Sequence, residues 1–257
     1  MRLSPILLLL LAGCAKAEPQ KSAESFCRQQ AFEGSRFTVC DNKGGELRLY
    51  VAGKSETPIR SFAGLMRKVD VQKVAFGMNA GMFGEDGRPI GMAEADGREV
   101  HKINLRDGPG NFHMKPNGVF LVDAAGNRDI YPSDRVPVFR SAPLLVTQSG
   151  PMLVIGGKLH PKLERDGQSR LIRNGVGVTG DRTALFVISE TAVSLGKFAR
   201  FFRDGLKTPN ALYFDGSVSS LWDPANGRQD SHAELGPIIV ALKPAASAPG
   251  RGGPARP

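Results

Sequence analysis

Residues 213–220 read YFDGSVSS, so a carboxylate and a glycine follow an aromatic pair and precede three serines. The run Ala211 to Phe214 is short and apolar, as a buried strand is, and it stops on Asp215. A strand that ends this way leaves the core at a cleft, with Gly216 allowing the tight turn that the carboxylate overlooks. A carboxylate so placed can stabilise a cation or activate a water. The competing reading is a plain Asp-Gly turn with solvated serines. Five more segments set polar groups and glycines beside apolar runs: MNAGMF at 78, GNFHMKPNGVF at 110, QSGPMLV at 148, RNGVGV at 173 and VISE at 187.

Several familiar arrangements are missing. There is no GxSxG elbow, HExxH pair, Walker loop or GxGxxG after a strand, and the four histidines (101, 113, 160, 232) are scattered. These absences weigh against the common hydrolase and nucleotide-binding classes. Asp215-Gly-Ser217-Val-Ser219 suggests an oxygen-rich loop, but it lacks the bidentate glutamate and further carboxylates of a calcium site. A divalent cation there stays open as an alternative.

The elements that must position these residues are legible in outline. Thr183 to Asp215 is the clearest unit: TALFVIS is a strand, Ser194 caps a helix whose core face is Leu195, Phe198, Ala199 and Phe202, and NALYF is a second strand. Strand, helix and strand in so few residues predict a right-handed crossover between two parallel strands. Ser189 and Glu190 then share one sheet edge with Asp215, the edge where open α/β sheets bind ligands. Glu190 reads equally as a solvated glutamate near a helix start. Phe62, Leu65, Met66 and Val69 predict a helix over 60–69, and FTVC (37–40) with LRLYVA (47–52) predicts a hairpin about Gly44-Gly45. Apolar runs at 73–78, 118–122, 151–155, 175–178, 184–188 and 237–242 make the middle strand-rich. The fold class expected is α+β, a single domain around a mixed β-sheet with one right-handed βαβ unit at about 183–215.

The ends of the chain read differently. MRLSPILLLLLAGCAKAEP places Arg2 before a leucine-rich run too short to span a bilayer, which is a secretory signal. Leu11-Ala12-Gly13-Cys14 resembles the bacterial lipobox, in which the cysteine is lipidated; the alternative is an unlipidated signal or uncleaved anchor. The division expected is a lipoprotein signal peptide at 1–13, a tether at 14–26, a domain at 27–243 and a Pro/Gly/Ala-rich disordered tail at 244–257. Export leaves Cys27 and Cys40 as an even remainder, which favours a disulfide between them. Alanine at 15 favours the outer membrane, on its periplasmic face. The 34 Lys and Arg against 25 Asp and Glu give +9, spread without a basic block. That balance suits anionic envelope polymers or a membrane and argues against specific nucleic-acid binding.

Taken together and in order, the six segments resemble the bacterial branch of the phosphodiester glycosidase family, over roughly residues 27–242. The same family holds the catalytic domain of the mammalian uncovering enzyme, which removes N-acetylglucosamine from a phosphodiester. The resemblance implies a catalytic pocket built from Asn79, Gly81, Arg173, Asp215, Gly216 and Ser217, lined by Asn117, Gln148, Ser149 and Gly150. Asp215 would be the carboxylate catalyst with Glu190 its candidate partner. Arg173 would be the forked cation on the phosphate, joined by Lys115 or Arg170, and Asn79, Gln148 and Ser217 would meet the sugar. One departure is that Gly216-Ser217-Val218 stands where the mammalian-type motif has three glycines. The function expected is an exported, lipid-anchored hydrolase of a glycosyl phosphodiester or related envelope glycan. The alternative is a non-catalytic glycan- or wall-polymer-binding lipoprotein on the same fold.

Overall fold

The structure is a computed structural model and describes residues 25–245. The expected signal peptide, Cys14, nearly all of the tether and most of the tail lie outside the described residues. Three β-sheets dominate. The first has seven strands in the order Cys27–Phe32, Ser35–Cys40, Ala184–Ser189, Asn174–Val178, Asn210–Tyr213, Met152–Ile155 and Lys158–Leu159. The second runs Arg228–Gln229, Leu221–Asp223, Val74–Asn79, Ile238–Leu242 and Leu47–Tyr50, and the third Arg98–His101, Ala93–Ala95, Leu145–Ser149, Gly118–Val122 and Arg128–Pro132. With the two α-helices Phe62–Met66 and Leu195–Arg200 the class is α+β and mainly β.

Alternation within strands shows how the layers close. Ala184, Phe186 and Ile188 face a central core, while Leu185 and Val187 face a second core beneath the Leu195–Arg200 helix. Both faces of this strand are buried, which is why its sequence is continuously apolar. The sheets meet at three rings: Phe186 of the first lies 5.4 Å from Phe76 of the second and 5.7 Å from Phe120 of the third, centroid to centroid. On the far side of the second sheet, Phe62 and Leu65 of the short helix pack with Trp222 and Val240. Ser61 caps that helix by accepting from Gly64 N at 3.0 Å.

Two topological expectations are corrected. Ala184–Ser189 and Asn210–Tyr213 do run in the same direction, but Asn174–Val178 lies between them and is antiparallel to both. Every pairing among the described strands is antiparallel, so the sheet is not mixed. The crossover helix spans the interposed strand, and the shared edge for Ser189 and Asp215 survives. The hairpin of 37–40 with 47–52 does not form. Ser35–Cys40 pairs instead with Cys27–Phe32 around Glu33 and Gly34, whose φ of 44° and 74° form a two-residue turn with both angles positive. The disulfide Cys27–Cys40 closes the open end of that hairpin, and Leu47–Tyr50 joins the second sheet.

Candidate functional site

A buried amide network sets the position of Asp215. Asn79, 1% exposed, ends its strand and donates from Nδ2 to the carbonyl of Asp215 at 2.9 Å. Its Oδ1 accepts from Asn174 Nδ2 and from Ser220 N, both at 2.8 Å. Asn174 Oδ1 accepts in turn from Ser219 Oγ at 3.1 Å, and Asp215 N donates to Ala80 O at 3.2 Å. The loop 215–220 is therefore tied at both ends to strand termini of two sheets. The Asp215 side chain stays half-buried, and its Oδ1 accepts from the hydroxyl and the N–H of Ser217.

Beneath this loop lie Tyr213 and Arg173. Strand alternation puts Tyr213 on the same side as Asp215, with Phe214 turned into the central core. Arg173 is fully buried and donates from Nη1 to the Tyr213 hydroxyl at 2.8 Å, from Nε to Val193 O at 2.8 Å, and from Nη2 to Ser169 O at 2.8 Å. None of its partners among the described residues is a carboxylate. Burial pushes the Tyr213 phenol up from its ordinary value and outweighs the downward pull of Arg173, so the hydroxyl is held protonated. Gly216 lies directly against this phenol: a Cβ there would sit 1.7 Å from its oxygen.

Asp215, Gly216, Ser217 and Tyr213 line a pocket of about 260 Å³ together with Met82, Phe83, Ile90, Asn111 and Leu171. Asn111 also borders an adjoining pocket of about 230 Å³ that reaches Arg173, Ser169 and Lys162. A larger cavity of about 660 Å³ lies between residues 48–59 and 95–98, where both arginines are matched, Arg98 by Glu56 and Arg48 by Glu46. The Asp215 pocket combines a half-buried carboxylate and a protonated phenol, with the buried Arg173 behind the phenol, and it can receive a mono-anion bearing hydroxyls.

Several expected pocket residues are engaged with other parts of the fold. Gln148 is 2% exposed and wholly engaged: Oε1 accepts from Met92 N and Asn104 N, and Nε2 donates to Asn104 O and Ser133 Oγ. Asn79 and Asn117 are likewise internal braces, the latter donating to Phe112 O at 2.8 Å. Gly81 and Gly150 are needed for close packing, since a Cβ would come within 2.4 Å of Gln148 O and 2.7 Å of Phe112 O respectively. Ser189 Oγ accepts from Arg173 N at 2.9 Å, so it positions the arginine. Ser149 is fully buried, with an Oγ that finds no partner among the described residues.

Three charged residues differ more sharply from expectation. Lys115 donates to Leu105 O and to Asp107 at 2.7 Å, beside a separate pocket with Asn117. Glu190 accepts from Thr38 Oγ1 at 2.5 Å and from Arg228 Nη1 at 2.7 Å, an ion pair that holds it out of the Asp215 pocket lining. Arg173 is spent on internal acceptors and acts on the pocket through Tyr213. For a divalent cation the donor set is poor, because Asp215 is the sole carboxylate lining its pocket and no group of three His, Cys, Asp or Glu among the described residues could hold one. Tyr213 and Asn174 were not among the expected residues. The signal that finds Tyr213 is its place two residues before Asp215 in a strand; Asn174 carried no such signal.

Three comparisons bear on this geometry. The family described as phosphodiester glycosidase matches residues 72–235, more than half of the chain. An uncharacterised protein of Escherichia coli (strain K12), YigE, is 33% identical over 152 residues, covering 58% of this chain and 58% of its own length. The chain thus matches somewhat more than half of that relative. Among solved structures, the catalytic domain of zebrafish N-acetylglucosamine-1-phosphodiester alpha-N-acetylglucosaminidase, auto-inhibited by its pro-peptide, has a TM-score of 0.59 at 13% identity, covering 86% of this chain and 82% of that one. A hypothetical protein from Synechocystis has a TM-score of 0.53 at 16% identity, covering 84% and 61%. At these identities the two structures show a shared fold.

Proposed function

The chain belongs to the phosphodiester glycosidase family, and from that premise we propose that it hydrolyses the bond between the anomeric carbon of a sugar and a phosphodiester. The observation that carries this reading is Arg173, a buried guanidinium with no carboxylate partner among the described residues, one phenol away from the half-buried carboxylate of Asp215. A charge buried without a counter-ion is costly, and its field draws an anion into the adjoining pocket. A phosphodiester carries one negative charge and meets that requirement.

Each group then has a role. The Tyr213 oxygen accepts from Arg173, so its own hydrogen is left for a phosphate oxygen in the pocket. Asp215 faces the anomeric carbon, stabilising the oxocarbenium-like transition state and taking the proton of the attacking water. The water oxygen bonds to carbon, the carbon–oxygen bond to phosphate breaks, and the phosphomonoester leaves with the electron pair. Such a leaving group needs little acid assistance, so one carboxylate suffices. Ser217 holds Oδ1 of Asp215, leaving Oδ2 for the reaction. Asn111, on both pockets, is the nearest side-chain amide for sugar hydroxyls. The same reading takes the chain as exported and lipid-anchored at Cys14 on the periplasmic face of the outer membrane, supported by the lipobox-like Leu11 to Cys14 and the disulfide.

The test uses the full chain with N-acetylglucosamine 1-phosphodiesters, Asp215→Asn alongside, with and without chelator. Turnover should fall by about a thousandfold in the variant while binding of the diester is kept. Equal turnover in both proteins would remove Asp215 from the chemistry. Equal binding with no turnover in either would select the glycan-binding lipoprotein.

A further inference from the structure

Part of the lining of the Asp215 pocket is apolar. Met82, Phe83, Ile90 and Leu171 line it together with Asp215 and Ser217. Leu171 and the next residue, Ile172, are 43% and 42% exposed, immediately before Arg173. Single exposed leucines are ordinary on a protein surface. Here two adjacent ones are fixed in place. Leu171 pairs with Val193 through backbone bonds of 3.3 and 2.9 Å, and Ile172 O accepts from Ser219 Oγ at 2.9 Å. Phe83 is equally fixed: it packs so closely on Gly236 that a Cβ there would meet it at 2.2 Å, and the Arg60 guanidinium lies 5.5 Å from its ring centroid. Pinned side chains thus give this pocket a preformed apolar lining, its apolar slot.

Resting on the hydrolase reading above, we infer that the group on the far side of the phosphate is a hydrocarbon chain, alkyl or isoprenoid, so that the substrate class is a glycosyl phospholipid diester. Continuity sets the occupant. The slot opens from the pocket of the reacting carboxylate, and the segment carrying Leu171 and Ile172 is flanked by Arg170 and Arg173, with Lys162 on the adjoining pocket. A ligand that fits is anionic at one end of the slot and apolar along it. A sugar or polyol aglycone gains little from Phe83 and Leu171, whereas a hydrocarbon removes its own apolar surface and theirs from water.

The experiment compares the full chain on three N-acetylglucosamine 1-phosphodiesters with methyl, decyl and geranyl aglycones, each below its micelle concentration. Decyl or geranyl should exceed methyl in kcat/KM by at least about tenfold, the effect of burying two methylenes. The ratio of those two arms tells alkyl from isoprenoid. In the double variant Leu171→Ser with Ile90→Ser, both on the pocket lining, the long-to-methyl ratio should fall to about one; because the ratio is taken within each protein, any misfolded fraction cancels. Binding of decyl phosphate against methyl phosphate, by calorimetry, reads the slot without catalysis. If no diester is hydrolysed but decyl phosphate binds at least about tenfold tighter, with the preference lost in the double variant, the hydrolase reading fails and the apolar slot stands. If diesters are cleaved with no regard to chain length and both phosphates bind alike, the aglycone assignment is overturned and the hydrolase stands. A long-chain preference that survives in the double variant also overturns it.

Discussion

Replacing Gly216 by alanine tests the linkage between Asp215, Tyr213 and Arg173 most directly. The added Cβ would lie 1.7 Å from the Tyr213 oxygen and 2.5 Å from its Cζ, far inside contact distance. Ordinary contact needs a retreat of about 2 Å. The phenol has little room for that, since Tyr213 is 1% exposed, its ring packs edge-on at 6.4 Å from Phe198, and its oxygen is bonded to Arg173. Two costs follow. Overpacking should destabilise the fold by about 1–3 kcal/mol. A misplacement beyond 1 Å at a reacting group should lower kcat/KM by about a hundredfold or more. The assays are hydrolysis of a sugar 1-phosphodiester and a urea melt, each repeated in Tyr213→Phe and in the double variant. Removing the hydroxyl deletes the nearest clashing atom, so the two substitutions should be clearly non-additive. Full activity and an unshifted melt in Gly216→Ala would refute the reasoning, because they would mean that the phenol is free to move or takes no part.

The other predictions concern what holds the site. Gly81→Ala places a Cβ 2.4 Å from Gln148 O and 2.5 Å from Thr147 Oγ1, so the urea midpoint should fall by the equivalent of about 2 kcal/mol with or without ligand; a change confined to KM would return Gly81 to the substrate. Arg200, almost fully buried, is paired to Glu33 at 2.6 Å, and the hydrogen bond from Arg200 holds the Glu33 carboxyl below its usual range. Its contribution is fully present above the unfolded glutamate value of about 4.3 and is lost as pH falls through the lower folded value. Urea midpoints of wild type and Glu33→Gln should therefore differ by a constant amount above about pH 5 and converge below about pH 4; a gap unchanged down to pH 3 would contradict it.

Much of the fold was legible because the relevant physics is local. Continuous apolar runs at 118–122, 175–178 and 184–188 became strands buried on both faces, and Ser194 caps a helix as its sequence implies. Partner choice was less legible. The segment FTVC can pair with any neighbour of matching alternation, and its pairing to Cys27–Phe32 rather than 47–52 depends on a turn with two positive φ values at Glu33-Gly34. Glutamate is not a residue that announces such a turn.

The candidate site divides along the same line. The sequence by itself determined that Asp215 closes a buried strand, that Gly216 follows where the chain must turn tightly, and that Ser189 and Asp215 share an edge. It also pointed to the pairing of Cys27 with Cys40, the even remainder once Cys14 is set aside, and the structure joins them. Only the tertiary structure decided which polar groups line the Asp215 pocket. Asn79, Gln148 and Arg173 have the residue types that bind sugars and phosphates, yet their donors and acceptors are consumed by Asp215, Asn104 and Tyr213, residues 136, 44 and 40 positions away. A buried polar side chain must be satisfied by whatever the fold brings within about 3 Å. That partner is a property of three packed sheets, and no local pattern encodes it.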